Sequence, residues 1–184
     1  INKQVISETP SLKERLQRSK TIGSPTSASS IDSGEIDELL GPRGPFAKRF
    51  PNYETRSEQV EMAKAIAKTL GTPESGKNHH IIVEGGKRIG KSVAYLLPTV
   101  LFALRNNVRV LISTSTINLQ EQLVKKDIPD VLETLKSSDV DISSFKFTQM
   151  KGKANYVCLK KWVTQANNDY LSPEQASVMS KTLL

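Results

Sequence analysis

The chain has 184 residues and sets 26 Lys and Arg against 19 Asp and Glu, a formal net charge of +7; this is one domain's worth of sequence with a leaning towards polyanionic partners. Counted with Gly and without Tyr, its apolar fraction is about 40%, under the roughly 45–50% of an average globular chain, so part of it is expected outside a core. No run approaches the ~18 apolar residues of a membrane span and no cleavable leader opens the chain, while the single cysteine, Cys158, excludes a disulfide scaffold and points to a reducing, cytoplasmic setting.

A chain that begins at Ile1 instead of Met is expected to be a fragment or a processed piece. Residues 1–35 alternate a basic run ending at Lys20 with a polar tract from Thr21, which offers too little apolar surface to offset its ordering entropy. They read as a flexible linker or tail with a short helix over 11–18. Ile36, Leu39 and Leu40 then take helical spacing until Gly41-Pro42-Arg43-Gly44-Pro45 stops them, and a domain is expected over 36–155. Val60, Met62, Ala63, Ile66, Ala67 and Leu70 recur at three and four, which predicts a helix over 57–70. His79 and His80 read as solvated surface. His80-Ile81-Ile82-Val83 and Val108-Arg109-Val110-Leu111-Ile112 are β-rich runs. Between them lie a glycine segment, 85–90, and an apolar helical stretch, 93–104, in which Pro98 is expected to cause a kink or a split. Strand, loop, helix, strand predicts a βαβ unit, hence an α/β fold with a parallel sheet and flanking helices. Helices over 118–126 and 131–135, a third strand at Phe145-Lys146-Phe147 and a helix start at Ser172-Pro173-Glu174-Gln175 complete the reading.

Gly85-Gly86-Lys87-Arg88-Ile89-Gly90-Lys91-Ser92 satisfies G-x-x-x-x-G-K-[ST] between an expected strand and an expected helix. Backbone N–H groups and a helix N-terminus give fixed positive potential around phosphate oxygens. Lys91 would reach the β- and γ-phosphates and the Ser92 hydroxyl would hold magnesium. Gly85, Gly86, Gly90, Lys91 and Ser92 are therefore the candidate nucleotide residues, with Lys91 and Ser92 the candidate catalytic pair, in an incomplete P-loop NTPase (RecA-like) domain. The plain alternative is a glycine-rich turn with a surface lysine.

Five stretches, taken in order, resemble one family. They are Tyr53-Glu54-Thr55-Arg56-Ser57-Glu58-Gln59, the glycine loop, Val93-Ala94-Tyr95-Leu96-Leu97-Pro98, the run from Ser113 to Leu123 (Ser-Thr-Ser-Thr-Ile-Asn-Leu-Gln-Glu-Gln-Leu), and Lys151-Gly152-Lys153-Ala154-Asn155-Tyr156-Val157-Cys158. Together, over about 38–162, they resemble the DinG/XPD-like iron-sulfur DNA helicases of superfamily two. The resemblance implies that Arg56 and Gln59 form a nucleotide-base motif in which the glutamine reads adenine. It implies that Ser115, Thr116 and Gln120 contact the DNA backbone, and that Cys158 is the first of four ligands to a 4Fe-4S cluster. Residues 156–184 would open the iron-sulfur insertion. The bland readings are a polar helix start, a Ser/Thr N-cap and a small buried thiol.

What the resemblance implies for the intact protein is ATP-dependent 5′-to-3′ translocation on single-stranded or forked DNA, with duplex unwinding, in the cytoplasm at the nucleoid. Its cofactors would be ATP, Mg2+ and the 4Fe-4S cluster. An acidic Asp-Glu-Ala-His-type box, a second motor domain and three further cysteines are not in these 184 residues, so nucleotide binding without efficient hydrolysis is expected of them alone. The family's loop reads Ala-Gly-Thr-Gly-Thr-Gly-Lys-Ser, and Lys87-Arg88-Ile89 replace its Thr-Gly-Thr centre. This departure leaves a non-catalytic nucleic-acid-binding remnant as the alternative, and a P-loop ATPase or kinase with a small substrate as a third class.

Overall fold

The computed structural model describes residues 28–71, 80–167 and 170–181; the helix expected over 11–18, His79 and most of the expected tail lie outside the described residues. The chain divides into a unit ending at Phe147 and a unit beginning at Thr148.

In the first unit, helix α1 (Ser33–Leu40) starts where the Asp32 carboxylate accepts the Gly34 N–H at 2.9 Å, capping a donor that has no partner within the helix. It buries Ile36, Leu39 and Leu40, and Ile31 ahead of it is also in the core. Helix α2 (Pro45–Arg49) opens on a proline, whose fixed φ suits a first turn. It buries Phe46, whose ring lies 6.2 Å from that of Phe50 and 6.4 Å from that of Tyr53. Helix α3 (Ser57–Gly71) turns Gln59, Ala63 and Ala67 inward, and these small alanines let it pack closely on helix α4 (Lys91–Asn106), its main neighbour.

Helix α4 is the centre of the unit, with Ala94, Leu96, Leu97, Val100 and Leu101 buried. Pro98 does not split it: the helix runs unbroken through the proline, and the Thr99 hydroxyl donates to the Tyr95 carbonyl at 2.7 Å in the same turn. The helix ends at Asn107 in a left-handed conformation (φ 49°), with its N–H bonded to the Ala103 carbonyl, a role that asparagine fills at little cost.

Helix α5 (Ile117–Gln122) passes into a π-helical turn (Leu123–Asp127) and then into α6 (Ile128–Lys136). The helices expected over 118–126 and 131–135 are not separated, since the chain stays helical across Pro129. Pro129 lacks an N–H and its ring would press on the carbonyl one turn back; the wider register, in which the Ile128 N–H bonds the Leu123 carbonyl, loosens that turn just before it. Helix α6 buries Val131, Thr134 and Leu135.

The parallel sheet is not present: no strand occurs among the described residues, and every regular element is helical. The three β-rich runs belong to no ladder. Ile82 is 98% exposed and Leu111 85% exposed. A strand is stabilised by cross-strand pairs and ladder hydrogen bonds, not by the propensity of its own residues, and these runs have no such partner among the described residues. None of the described helices is long and apolar enough to cross a membrane.

In the second unit, a 3-10 turn (Lys153–Asn155) precedes α7 (Leu159–Ala166) and α8 (Pro173–Lys181). The Tyr156 hydroxyl accepts the Lys151 N–H at 2.8 Å. Helix α8 starts with a reciprocal capping box, in which Ser172 Oγ accepts the Gln175 N–H at 3.2 Å and Gln175 Oε1 accepts the Ser172 N–H at 3.1 Å. Cys158 is exposed at the N-cap position of α7 and makes no capping bond.

Replacing Phe46 by Ala removes a ring that is 1% exposed and touches two other rings. The cost should be about 3–5 kcal/mol, read as a fall in the urea midpoint, and a loss under about 1 kcal/mol would contradict the placement of this ring in the core.

Candidate functional site

The glycine loop lies directly ahead of α4. Gly90 is its N-cap residue in a left-handed conformation (φ 80°, ψ 36°), and a Cβ at this position would collide with the Gln59 side-chain amide. Only glycine meets both demands without strain. The Gly90 carbonyl accepts two bonds, from the Ala94 N–H at 3.1 Å inside α4 and from Gln59 Nε2 at 3.0 Å across from α3. Gln59 is 5% exposed. The Tyr53 hydroxyl donates to the Leu40 carbonyl at 2.8 Å and its oxygen lies 3.5 Å from Gln59 Oε1. The expected adenine-reading amide is thus turned inward onto the loop. Arg56 directly precedes α3, where its backbone carbonyl accepts the Gln59 and Val60 N–H groups and its guanidinium meets Glu54 at 3.3 Å near the surface.

Lys91 reaches back over the loop, its ammonium donating to the Gly86 carbonyl at 2.7 Å and the Gly85 carbonyl at 3.1 Å. Gly85, Gly86, Gly90 and Lys91 are thereby gathered at one place. Ser92 is half-buried. The first turn of α4 holds no acidic residue and no side chain caps it, so its backbone N–H groups are available to an anion. Lys87 and Arg88 are exposed. Arg88 takes a left-handed conformation (φ 69°), the one a glycine adopts freely and a side chain adopts at a cost.

On the α3 side, Glu58, Glu61 and Glu84 join Met62, Val83, Gly85, Gly86 and Ile89 around a cleft of about 520 Å3. Its three carboxylates make this cleft a poor place for phosphate.

Further along, Thr116 is the N-cap of α5, with Oγ1 accepting the Leu119 N–H at 3.2 Å. Its hydroxyl keeps a hydrogen to donate. Ser115 is exposed and Gln120 half-buried. Thr114 Oγ1 donates to the Thr116 carbonyl at 3.2 Å, which tightens the turn that presents them. Tyr95 follows Ser92 by three on α4, a spacing that puts the two on one helix face, and the π-turn that carries Asp127 packs against α4.

No family model and no solved structure gives a significant match to the chain. Among curated proteins, it is 38% identical over 123 residues to the ATP-dependent helicase DinG of Mycobacterium tuberculosis, a match that covers 65% of this chain and 18% of the relative. It is 40% identical over 113 residues to the ATP-dependent DNA helicase DinG of Photobacterium profundum, covering 61% of this chain and 16% of the relative. It is 35% identical over 127 residues to the ATP-dependent DNA helicase YoaA of Escherichia coli, covering 69% of this chain and 18% of the relative. The chain thus spans less than a fifth of the length of these relatives. Across the matched residues, the chain is similar to part of the DinG and YoaA ATP-dependent helicases.

Proposed function

We propose that this chain carries the nucleotide-binding loop of an ATP-dependent DNA helicase, with Gly85, Gly86, Gly90, Lys91 and Ser92 around the phosphates. The observation that supports this reading best is the loop geometry: an ammonium folded onto two loop carbonyls at the mouth of an uncapped helix. The donor set suits a phosphate group. Lys91 exchanges two neutral carbonyl partners for phosphate oxygens, and such charge-assisted bonds are about twice as strong as neutral ones. The N–H groups at the start of α4 face the same anion. Gln59 holds the Gly90 carbonyl still, so the loop keeps its shape as Lys91 moves, and Arg56 is the residue proposed to meet the base together with Gln59.

Mg2+ would sit on the Ser92 hydroxyl and supply charge neutralisation at the β- and γ-phosphates. The 4Fe-4S cluster does not fit the residues of this chain. A cluster takes four thiolates, this sequence has one cysteine, and among the described residues no group of three or more His, Cys, Asp or Glu is placed to hold a metal. No step is routed through a cluster.

Single-stranded or forked DNA is the proposed polymer, met by Ser115, Thr116 and Gln120 through its phosphates, which positions a strand without reading its sequence. A second reading, a nucleic-acid-binding remnant with a degenerate loop, is favoured by one observation, the left-handed Arg88. ATP binding separates the two, since the remnant binds DNA and not nucleotide.

In calorimetric titration with Mg-ATP, Lys91→Ala should lose about 1.5–3 kcal/mol, roughly 10- to 150-fold in affinity. Equal affinity of wild type and variant would remove the loop from nucleotide binding. Arg88→Gly relieves a strain of about 1–2 kcal/mol against a glycine entropy cost of about 0.5–1 kcal/mol. A net gain of up to about 1 kcal/mol is expected in urea unfolding, and a destabilised variant would mean that the arginine side chain holds the loop. Fluorescent single-stranded DNA should bind with an affinity that falls as salt rises, by about 0.7 in log–log slope per phosphate contacted. The double variant Ser115→Ala, Gln120→Ala should bind more weakly; Thr116 is left intact because its loss also costs α5 its cap. A flat salt response or unchanged binding would count against this surface.

A further inference from the structure

Arg88 stands at the turn of the glycine loop, between two anchored ends. At one end the side chains of Ile89 and Lys91 fold over Gly85, where a Cβ would lie 2.6 Å from Ile89 Cδ1 and 3.3 Å from Lys91 Cδ, and the Lys91 ammonium bonds the Gly85 and Gly86 carbonyls. At the other end Gln59 bonds the Gly90 carbonyl. Ile89 turns into the neighbouring cleft, whereas Arg88 is exposed. Among the described residues, the Arg88 side chain has no ion pair or hydrogen bond.

The backbone of Arg88 is left-handed, with φ at 69°. Glycine takes this conformation freely and a side chain takes it at a cost. The fold draws no visible return from the side chain that bears this cost, because it is exposed and unpaired. Strained residues of this kind cluster where a ligand is held. What arginine offers there is a permanent charge and a planar fork of N–H donors, which match phosphate oxygens. A terminal phosphate carries about two negative charges at neutral pH and attracts such a fork more than an inner phosphate does. Lys91 and the first N–H groups of α4 serve the phosphates seated against the helix, and the guanidinium at the turn is the cation left for the phosphate beyond them.

We propose that Arg88 is a specificity residue of the loop, whose guanidinium takes the terminal phosphate of a nucleoside triphosphate and so sets a preference for triphosphate over diphosphate. The proposal rests on the reading of the loop as a nucleotide site. It gives the left-handed arginine the opposite sense from a degenerate loop: the strain is kept for a contact made only when the ligand is bound. Phosphate is the chemistry recognised, and a DNA backbone offers it too. Two features favour the nucleotide. Arg88 lies in the same loop as Lys91, and a backbone phosphate carries about one charge where a terminal phosphate carries about two.

The test is titration of the full chain with Mg-ATP, Mg-ADP and a fluorescent single-stranded DNA, in wild type, Arg88→Gln, Arg88→Lys and Arg88→Gly. Arg88→Gln removes the charge and keeps the left-handed side chain, and Arg88→Gly removes both. Each should weaken ATP by about 3- to 10-fold, less than a charge-assisted bond gives in a closed site because water reaches this guanidinium. The loss for ADP should be smaller, and DNA binding should stay as in wild type. Arg88→Lys, which keeps the charge without the fork, should fall between wild type and Arg88→Gln. Unchanged ATP affinity in Arg88→Gln, an equal loss on ATP and ADP, or a loss on DNA as large as that on ATP overturns the proposal. Tighter ATP binding by Arg88→Gly overturns it in favour of the degenerate loop. A wild type that binds neither nucleotide takes down the proposed function and the role of Arg88 with it, whereas a wild type that binds ATP, with variants of unaltered selectivity, takes down the role of Arg88 alone.

Discussion

The contact on which the rest depends is the one at Gly90. Its carbonyl is the first acceptor of α4 and also the acceptor for Gln59 from α3, and a Cβ on it would displace that amide. One residue therefore sets where the loop stops, where α4 starts and how far α3 stands from it. A carbonyl with two donors has little freedom to rotate, and a left-handed residue held at both ends has less. The loop ahead of it is shaped by this anchor and by Lys91, whose ammonium bonds two loop carbonyls.

Around that anchor, the first unit is organised by α4. The helices α3 and α6 and the π-turn all pack on it, and its buried residues, Ala94 to Leu101, are the middle of the core cluster. Surface ion pairs such as Lys64 with Asp37 at 2.6 Å and Arg49 with Asp130 at 3.4 Å add little, since exposed pairs contribute about 0–1 kcal/mol each. Burial of the apolar face of α4 is the larger contribution, because each fully buried aliphatic side chain stabilises by about 1.5–3 kcal/mol.

Helical periodicity was readable wherever one face is buried. The spacing over 57–70 corresponds to α3, Ser57–Gly71, and the stretch 93–104 to α4, Lys91–Asn106. The spacing could not say that Pro98 would be tolerated, because that depends on its burial within a packed helix and on the neighbouring Thr99 hydroxyl. Nor could it say that the chain would cross Pro129 by widening its register. The strands failed for a different reason. Val, Ile and Leu in a row state a preference for extended backbone, but pairing is a property of two segments, and periodicity reads one. In the site, the loop residues are contiguous and so could be named from sequence. The place of Tyr95 on the Ser92 face of α4 was within reach of an argument from helical spacing. The approach of Asp127 to α4 was not, since the π-turn brings it there.

Charge explains less of this site than the sequence total implies. The screening length at physiological ionic strength is about 8 Å, so most of the +7 is not felt at the loop. Locally, Lys87, Arg88 and Lys91 stand against Glu58, Glu61 and Glu84 in the adjoining cleft, three cations against three carboxylates. A site so nearly balanced does not gather phosphate by net field. What discriminates is direction: Glu58 and Glu61 stand on α3 and Glu84 just ahead of the loop, lining the cleft, whereas the N–H groups of α4 and the Lys91 ammonium converge at the loop itself. Hydrogen bonds to an anion act at contact and depend on angle, so a phosphate gains them only in the position where the helix axis, the loop backbone and the lysine meet. That position is set by Gly90, and the anchor of the fold is in this way also the anchor of the site.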